Sequence, residues 1–353
     1  MEIGTAAVSR GECATGYLEV ADLPTGGTER LPVIVARGER AGPTLWITGG
    51  VHGNEMTGIA AVQDVLADGV PDGLAGTVVC VPTCNPAGLR RLERTSYYHD
   101  DDPNRFFPDS TADRVRPRRV QELIDRRLYD AIVDSADALL DFHTAQVGSM
   151  PFVIRDRVLY GTQRDEETAR TLAARLDYLA RTVDLPLVTE YPTAEYEDRN
   201  LHRSTAGAVL NDAGIPALTL ELGSFDVVEE ENRAAGVAAA YRAMVGLGML
   251  EAVPSRIDTS HELEAPVEFP VRRYVGPHAS RSGFVRHQVA AGDVIAASDP
   301  VADVVDPHGE VLETLESEHD GYVLGRRPPV VYENDPVASM AVRDEGELVT
   351  ARQ

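Results

Sequence analysis

The 353-residue sequence contains no lysine, so all 33 of its basic residues are arginines, against 57 acidic residues and a net charge of −24. Such a surface disfavours partners that are themselves polyanions, namely nucleic acids and anionic membranes. A genome that prefers arginine codons is one explanation. Because the acidic excess and the lack of lysine occur together, they favour a salt-adapted (halophilic) protein that carboxylates keep soluble while salt screens their repulsion.

Cysteines and long apolar runs are also scarce. Cys13, Cys80 and Cys84 cannot form a disulfide framework, and we interpret them as reduced thiols. The pair Cys80 and Cys84 without a second pair is only a weak metal signal. No apolar run approaches the roughly 18 residues needed to span a bilayer. The first residues show neither a basic start nor an apolar core of a signal peptide, so a cytoplasmic protein is expected.

What is present is typical of a globular protein, with 43% hydrophobic and 25% charged residues. Residues 44–48 are apolar and rich in β-formers, and a helix pattern runs from about 55 to 67. A second apolar strand follows at 77–82. A strand-helix-strand unit of this kind is the signature of a parallel sheet.

The remaining patterns extend this sheet and divide the chain. We predict an edge hairpin, several further strands and helices, and a functional loop at 83–117 that is too long for a simple connection. The predicted hairpin strands are 17–21 and 31–37, and the other strands are 138–143, 151–155 and 215–223. One predicted helix begins at 117, and three more cover 163–181, 203–213 and 231–250. The fold class is therefore α/β, with a mixed, largely parallel sheet and helices on both faces. A catalytic domain is expected at 1–252, a linker at 253–266 and a small all-β appendage at 267–353.

Potential metal ligands follow three of the predicted strands. His52 and Glu55 lie after strand 44–48, and His143 ends strand 138–143. Ligands gather outside the carboxyl ends of parallel strands, and a catalytic zinc site needs three protein ligands and an open position for water. These three residues supply one Zn²⁺ site per chain. Glu221, in an otherwise apolar strand, is then available as the general base.

Other polar residues have candidate supporting roles. Asp141 points to the same strand face as His143, where it would either orient that ligand or cap a helix. Arg94, Asn104 and Arg105 in the long loop would hold a substrate carboxylate and stabilise an oxyanion. The other seven histidines are interpreted as structural or solvent-facing.

Five motifs together resemble the succinylglutamate desuccinylase/aspartoacylase family of the zinc carboxypeptidase-like superfamily. They are G-G-V-H-G-N-E, N-P-A-G followed by Arg, D-P-N-R-F-F-P, D-F-H-T and E-L-G, in this order over about residues 40–250. The resemblance implies zinc held by His52, Glu55 and His143, with Glu221 as base. It also implies that Arg94 polarises the scissile carbonyl and that Asn104 and Arg105 hold a substrate carboxylate.

Two features depart from the family pattern. Its usual D-L-N-R is D-P-N-R here, and Y-Y-H-D-D-D lengthens the segment before Asn104. The longer segment leaves Arg90 and Arg91 as alternatives to Arg94. The C-terminal part resembles a biotinyl/lipoyl-type sandwich with a tip at 306–309. Because a covalent carrier needs a lysine at that tip, this appendage would instead shape the pocket mouth or support a homo-oligomer.

The leading hypothesis is a zinc-dependent amidohydrolase that cleaves an N-acyl amino acid or a similar small carboxylate-bearing substrate by zinc-activated water. Alternatives that share this chemistry are a zinc carboxypeptidase and an ester deacylase. A non-enzymatic scaffold with a degenerate zinc site is the alternative of another class.

Overall fold

The computed structural model describes residues 1–111, 116–261 and 263–352. Five strands come first, strands and helices are then interspersed up to residue 246, and only strands follow in the described part of the chain. The strands are β1 Glu2–Ile3, β2 Ala6–Ala7, β3 Glu12–Asp22, β4 Thr28–Arg37, β5 Arg40–Gly49, β6 Ala75–Val81, β7 Ala138–Ala145, β8 Phe152–Arg155, β9 Val158–Tyr160, β10 Leu187–Thr189, β11 Ala217–Ser224, β12 Val271–Val275, β13 Gly283–His287, β14 Val294–Ile295, β15 Pro300–Val305, β16 Val311–Glu316, β17 Gly321–Arg326, β18 Val330–Val331, β19 Ala338–Arg343 and β20 Val349–Ala351. The helices are α1 Met56–Val65, α2 Pro86–Leu89, α3 Val120–Val133, α4 Glu166–Thr182, α5 Thr193–Asp198, α6 Thr205–Asn211 and α7 Glu230–Gly246, with short 3-10 helices at Pro103–Arg105 and Leu201–Arg203.

A mixed sheet of twelve strands passes through the described residues. Its order is β14-β17-β19-β12-β10-β8-β11-β7-β5-β6-β4-β3. The central strands β11, β7, β5 and β6 are mutually parallel, as the strand-helix-strand pattern predicted. The β3–β4 hairpin closes one edge, which confirms that prediction too. Central strands are buried on both faces, and Leu45, Trp46 and Ile47 of β5 are fully buried.

Helices cover both faces of this sheet. α1 and α4 each contact α7, whereas α3 contacts α6. The predicted buried face of α1 is confirmed by Ile59 and Val62, which are almost fully buried. Side-chain caps set two boundaries inside the predicted limits: the Asp165 carboxylate accepts a hydrogen bond from the Thr168 amide, and Ser204 caps α6 in the same way.

The sheet continues past the predicted linker into the C-terminal strands. β12 pairs in parallel with β10, and β19, β17 and β14 follow antiparallel. An apolar cluster joins the two parts, with members such as Phe152 and Val188 on one side and Val271 and Tyr322 on the other. The division into two domains stays a prediction. What the structure shows is that β8, β10 and the C-terminal strands share one sheet and one apolar cluster.

The C-terminal strands also form a second sheet, of order β16-β15-β13-β18. Its β15–β16 hairpin turns at residues 306–310, where the carrier-like tip was predicted. The last strand, β20, returns to pair with β9.

The long segment 83–117 is largely irregular, as predicted, although it contains α2 and the 3-10 helix at Pro103–Arg105; its residues 112–115 lie outside the described residues. Residue 262 of the predicted linker does too. Among the helices that the structure describes, none has the length and apolarity to cross a membrane.

Candidate metal centre and substrate pocket

Three neighbouring parallel strands bring the candidate ligands to one edge of the sheet. β7 lies between β5 and β11. Gly49 at the end of β5 is level with Phe142, and Glu221 of β11 is level with His143. The loop after β5 carries His52 and leads to Glu55 at the start of α1. The residues that the sequence placed at three strand ends are therefore brought together.

Glycines shape the loop after β5 by making room for packing. Gly50 has a φ of 61°, and a Cβ there would lie 2.8 Å from the Ile59 side chain. A Cβ on Gly53 would lie 2.0 Å from the Gly88 backbone carbon. These two glycines serve the close approach of α1 and α2 to the loop, and this approach fixes the position of His52.

The ligand atoms of His52, Glu55 and His143 all lie within 4.8 Å of one another, and all three side chains are buried. The Nδ1 atom of His52 lies 2.7 Å from Oε1 of Glu55, and Nδ1 of His143 lies 2.7 Å from its Oε2. One carboxylate and two imidazole nitrogens thus converge on a common point. Two histidines and one glutamate are a ligand set that catalytic zinc sites use.

The other ring nitrogen of each histidine contacts a carboxylate. The His143 Nε2 atom lies 2.8 Å from Oδ2 of Asp141, and the His52 Nε2 atom lies 3.0 Å from Oδ1 of Asp102. Thr48 donates a hydrogen bond of 2.6 Å to the other oxygen of Asp141. Carboxylates placed in this way hold the proton on Nε2 and leave Nδ1 as the metal ligand. The alternative of a helix cap for Asp141 is therefore not needed, and Asp102 is a residue that the sequence reasoning missed.

The cluster is strongly coupled electrostatically. Burial opposes ionisation of Glu55, but the charges of His52 and His143 outweigh it and lower the pKa of this carboxyl well below its usual range. Burial opposes ionisation of His143 too and so lowers its pKa, but Asp141 and Glu55 raise this pKa far more. Without a cation, the site thus favours a protonated His143 imidazole between Asp141 and Glu55. A metal ion would replace that proton, since metal ligands must be deprotonated.

Glu221 lies beside the cluster, level with His143 in the adjacent strand. Its Oε2 atom is buried and has no hydrogen-bond partner among the described residues. Burial and then the charge of Glu55 raise the pKa of Glu221, while His143 and Arg273 oppose the rise. Leaving a buried carboxylate oxygen without a partner costs free energy. We therefore expect this atom to accept a hydrogen bond from a water or a proton from the substrate.

Arg94 is the arginine of the long loop that reaches the cluster. Its guanidinium lies 3.5 Å from Oε1 of Glu55 and donates to Asp102 at 3.1 Å. Arg90 instead forms a two-pronged ion pair with Glu29, at 2.8 Å for each nitrogen. Arg91 is exposed beside Glu93. The geometry therefore favours Arg94 over its two neighbours, although its role in the reaction stays a prediction.

Asn104 and Arg105 lie on the pocket wall next to Asp102. The Asn104 side-chain oxygen accepts hydrogen bonds from both the backbone amide and the hydroxyl of Thr205. Its side-chain amide nitrogen must therefore point away from Thr205. Arg105 donates to the Asn104 carbonyl oxygen, and its second terminal nitrogen is 4.0 Å from Asp102. Both side chains keep donor groups for a carboxylate, and that role too stays a prediction.

A cavity of about 680 Å³ adjoins the cluster. One side is the metal cluster with Glu221, Arg94, Asn104 and Arg105. The other side includes residues that the sequence reasoning did not single out. They come from the turn between β8 and β9, from residues 190–199 after β10 and from the C-terminal part of the chain. Among them are Asp156, Glu190, Tyr191, Arg199, Arg273 and Arg327. The C-terminal strands thus help to shape the pocket, one of the two roles considered for the appendage.

Comparison with known proteins agrees with this geometry. The sequence model of the succinylglutamate desuccinylase/aspartoacylase catalytic domain matches residues 41–246, which is more than half of the chain. The chain belongs to this family. The match includes every predicted ligand, the predicted base and the loop with Arg94, so the resemblance recognised from five motifs is confirmed.

Relatives of the family resemble the chain over almost its whole length. The N-alpha-acetyl-L-2,4-diaminobutyric acid deacetylase of Halomonas elongata is 24% identical over 322 residues, which are 89% of this chain and 86% of that protein. A succinylglutamate desuccinylase/aspartoacylase from Rhodobacter sphaeroides superposes with a TM-score of 0.74 at 22% identity, over 97% of this chain and 100% of that one. The product-bound ectoine utilization protein EutE from Ruegeria pomeroyi gives 0.74 at 20% identity, with the same coverage. These structures confirm the predicted fold, including its C-terminal strands.

Proposed function

We propose that this family member is a zinc-dependent hydrolase that cleaves the amide bond of an N-acyl amino acid. The observation that carries the proposal is the convergence of His52, Glu55 and His143 within 4.8 Å beside Glu221, whose buried Oε2 atom has no hydrogen-bond partner among the described residues. The family comprises deacylases, and the Halomonas relative is a deacetylase of an N-acetylated amino acid. At 24% identity, that relative supports the reaction class rather than a particular substrate.

The donor set fits zinc. Two imidazole nitrogens and one carboxylate suit a tetrahedral ion with one open position, and Asp141 and Asp102 orient the rings as ligands require. When bound, Zn²⁺ would act as a Lewis acid and lower the pKa of water at the site. The cytoplasmic location and the oligomeric state stay predictions.

Four residues of the chain would have separate roles in the reaction. Glu221 takes a proton from the attacking water as the water oxygen bonds to the acyl carbon. Arg94 donates hydrogen bonds to the carbonyl oxygen as negative charge develops on it. Asn104 and Arg105 hold the carboxylate of the amino acid. When the C–N bond breaks, Glu221 delivers its proton to the leaving amine, which completes a hydrolysis to a carboxylate and a free amine.

Replacing Glu221 with Gln tests the assignment. The amide is nearly isosteric but cannot accept the proton, so kcat should fall about 100- to 10,000-fold while zinc content is unchanged. Zinc is measured by atomic emission and turnover by amine release. Glu231→Gln, an exposed change with the same loss of charge, is the control. Turnover of the Glu221 variant close to that of the unchanged protein would refute Glu221 as the base.

A panel of N-acetyl, N-succinyl, peptide and ester substrates separates the deacylase from a carboxypeptidase or an ester deacylase. A scaffold with a degenerate site would hold almost no zinc, even after zinc is added, and would cleave none of them.

A further inference from the structure

The turn after β11 is held by a carboxylate to which the proposed mechanism gives no role. Glu229 precedes α7 and is partly buried. Its Oε2 atom accepts hydrogen bonds from the Ser224 backbone amide at 2.7 Å and from the Asn232 side chain at 2.9 Å. Its Oε1 atom accepts a third from the Ser224 hydroxyl at 3.1 Å. Hydrogen bonds that a carboxylate accepts are among the stronger ones, so this turn is held firmly.

The Glu229 side chain does not serve its own helix. It occupies the position at which a side chain commonly accepts hydrogen bonds from the first backbone amides of a helix, but no such bond is present among the described residues of α7. The carboxylate instead lies beside β11, where a Cβ on Gly223 would overlap it. Glu229 is therefore packed directly against the backbone of the strand that carries Glu221.

The strand pairing leaves the segment after Glu221 less restrained. β11 pairs with β7 in register as far as Glu221 and His143, and the register shifts before Ser224 pairs with Ala145. An irregularity of this kind changes the direction of side chains near the end of a strand. The hydrogen bonds of Glu229 to Ser224 restrain the chain where the regular pairing stops.

The turn is also attached to α1, which follows the candidate ligand Glu55. The Glu229 backbone amide donates a hydrogen bond to the Thr57 hydroxyl at 3.1 Å, and Thr57 is fully buried in the first turn of α1. The Asp226 amide donates to the Asn54 carbonyl oxygen at 2.8 Å, in the loop after β5. These bonds connect the turn to the segment that positions Glu55.

A third connection leads to the loop after β7. The Ser224 hydroxyl, which donates to Glu229, accepts a hydrogen bond from the Gly148 amide at 2.9 Å. β7 is the strand that carries the candidate ligand His143. Glu229 and Ser224 thus join three segments: the one that carries the proposed base and the two that carry Glu55 and His143.

We propose that Glu229 is a positioning residue that fixes the distance between Glu221 and the candidate metal ligands. This inference rests on the proposed function, because it takes Glu221 to be the general base. A general base must lie within hydrogen-bond reach of the proton that it takes. Since a misplacement of about 1 Å can cost about 100-fold in rate, loosening the turn after β11 affects catalysis even though Glu229 touches no substrate.

Replacing Glu229 with Ala removes its three side-chain hydrogen bonds and leaves every candidate ligand in place. We expect kcat to fall about 100-fold, with KM and zinc content changed no more than about twofold. Turnover is measured as amine release well below the melting temperature, and zinc by atomic emission. The control is Glu230→Ala, an exposed change that removes a surface pair with Arg233 and should leave all three values unchanged. An unchanged kcat, a loss of zinc, or a rise of KM in place of the fall in kcat would overturn the proposal.

A double variant separates positioning from a purely structural role. If Glu229 acts through Glu221, then Glu229→Ala should change the residual kcat of the Glu221→Gln protein by less than about twofold, because the base on which it acts is already lost. A structural defect would lower kcat by the same factor in both proteins. That result would refute the positioning role.

Should Glu229→Ala not fold, Ser224→Ala takes its place in both proteins. It removes the hydroxyl that joins Glu229 to Gly148 but keeps the backbone amide bond, so the displacement should be smaller. We expect kcat to fall about tenfold when Glu221 is present and to stay constant in the Glu221→Gln protein. An unchanged kcat in the presence of Glu221 would then decide against the proposal.

Crystal structures test the positioning without any turnover. In zinc-soaked crystals of the Glu229→Ala protein, the Glu221 carboxylate should lie about 1 Å or more from its place in the unchanged protein, measured against the three candidate ligands, whose own arrangement should not change. The Ser224→Ala protein should show a smaller shift of the same carboxylate. If no N-acyl amino acid is cleaved, the reaction assignment fails, but this displacement still decides whether Glu229 positions Glu221. A carboxylate that stays in place would exclude it.

Discussion

The cavity has a metal wall, with His52, Glu55 and His143, and a C-terminal wall, with Arg273 and Arg327. The two walls differ in whether their charged groups have partners of opposite charge. On the metal side, each ring nitrogen of His52 and His143 lies 2.7–3.0 Å from a carboxylate oxygen. On the C-terminal side, Arg273 is compensated by Glu190 but Arg327 by no acid of the described chain. The first wall has a ligand set that could hold a metal ion, as the proposed function requires. The second leaves one arginine charge without an acidic partner among the described residues.

The largest effect is expected from breaking the metal wall at its centre. His143→Ala removes one of three ligands and leaves Asp141 and Glu55 without their shared partner. Zinc content should fall from about one ion per chain to nearly none, and hydrolysis should be lost with it. Atomic emission and amine release measure the two. His308→Ala, at an exposed turn, should change neither. Full zinc in the His143 variant would show that the cluster is not the metal site.

A smaller loss of zinc binding is expected when a residue that contacts a ligand is replaced, rather than the ligand itself. Asp141→Asn keeps the size of the side chain but weakens its grip on the His143 ring and on Thr48. Zinc affinity should fall about 10- to 100-fold, with all three ligands still present. Competition with a chelator measures the affinity. The control Asp134→Asn, at the exposed end of α3, should match the unchanged protein. An unchanged affinity for the Asp141 variant would reduce this residue to a packing role.

The metal wall was predictable because its residues follow strands that the sequence identifies. β5, β7 and β11 are strongly apolar, and parallel neighbours place their carboxyl ends together, so His52, His143 and Glu221 could be related before any coordinates. Asp102 was missed even though it precedes Asn104 in a recognised motif, because only the loop's folded path shows that it reaches His52.

The opposite wall was not predictable in this way. Arg327 follows β17, which joins the sheet through β19, β12 and the single β10–β12 pairing of Thr189 with Arg272. Nothing local marks it among 33 arginines. Short-range patterns identify residues at the ends of their own strands, whereas a wall assembled from distant segments depends on strand order, which periodicity does not give.

The contacts of Glu29, which lies outside the metal cluster, test whether the metal wall depends on the loop that carries Arg94. Glu29 on β4 binds Arg90 and the Tyr98 hydroxyl, and so holds the loop that carries Arg94. Burial raises the pKa of Glu29, but these hydrogen bonds outweigh it and lower the pKa overall. The stabilisation is therefore present above the unfolded pKa of about 4.3 and is lost as pH falls through the lower folded value.

Glu29→Gln should accordingly cost about 1–2 kcal/mol of unfolding free energy at neutral pH, and the deficit should shrink in acid. Urea unfolding followed at several pH values measures it. Turnover should fall only a few-fold, because Arg94 keeps its contact with Asp102. Glu93→Gln, an exposed change in the same loop, serves as the control. A deficit that is constant from neutral to acid pH would contradict the pKa assignment.

Salt is expected to have the smallest effect, and it should separate substrate binding from metal binding. Raising KCl from about 0.15 M to 1 M shortens the screening length from about 8 to 3 Å, which weakens attraction at half-exposed charges far more than coordination inside a buried cluster. The KM of an N-acyl amino acid should rise a few-fold, because the partly exposed Arg105 would hold its carboxylate, while zinc content stays constant. Melting should meanwhile shift upward with KCl, because screening relieves the repulsion within a chain of net charge −24. A KM that does not change with salt would contradict the role of Arg105, and a melting temperature that falls would contradict the interpretation of the acidic surface.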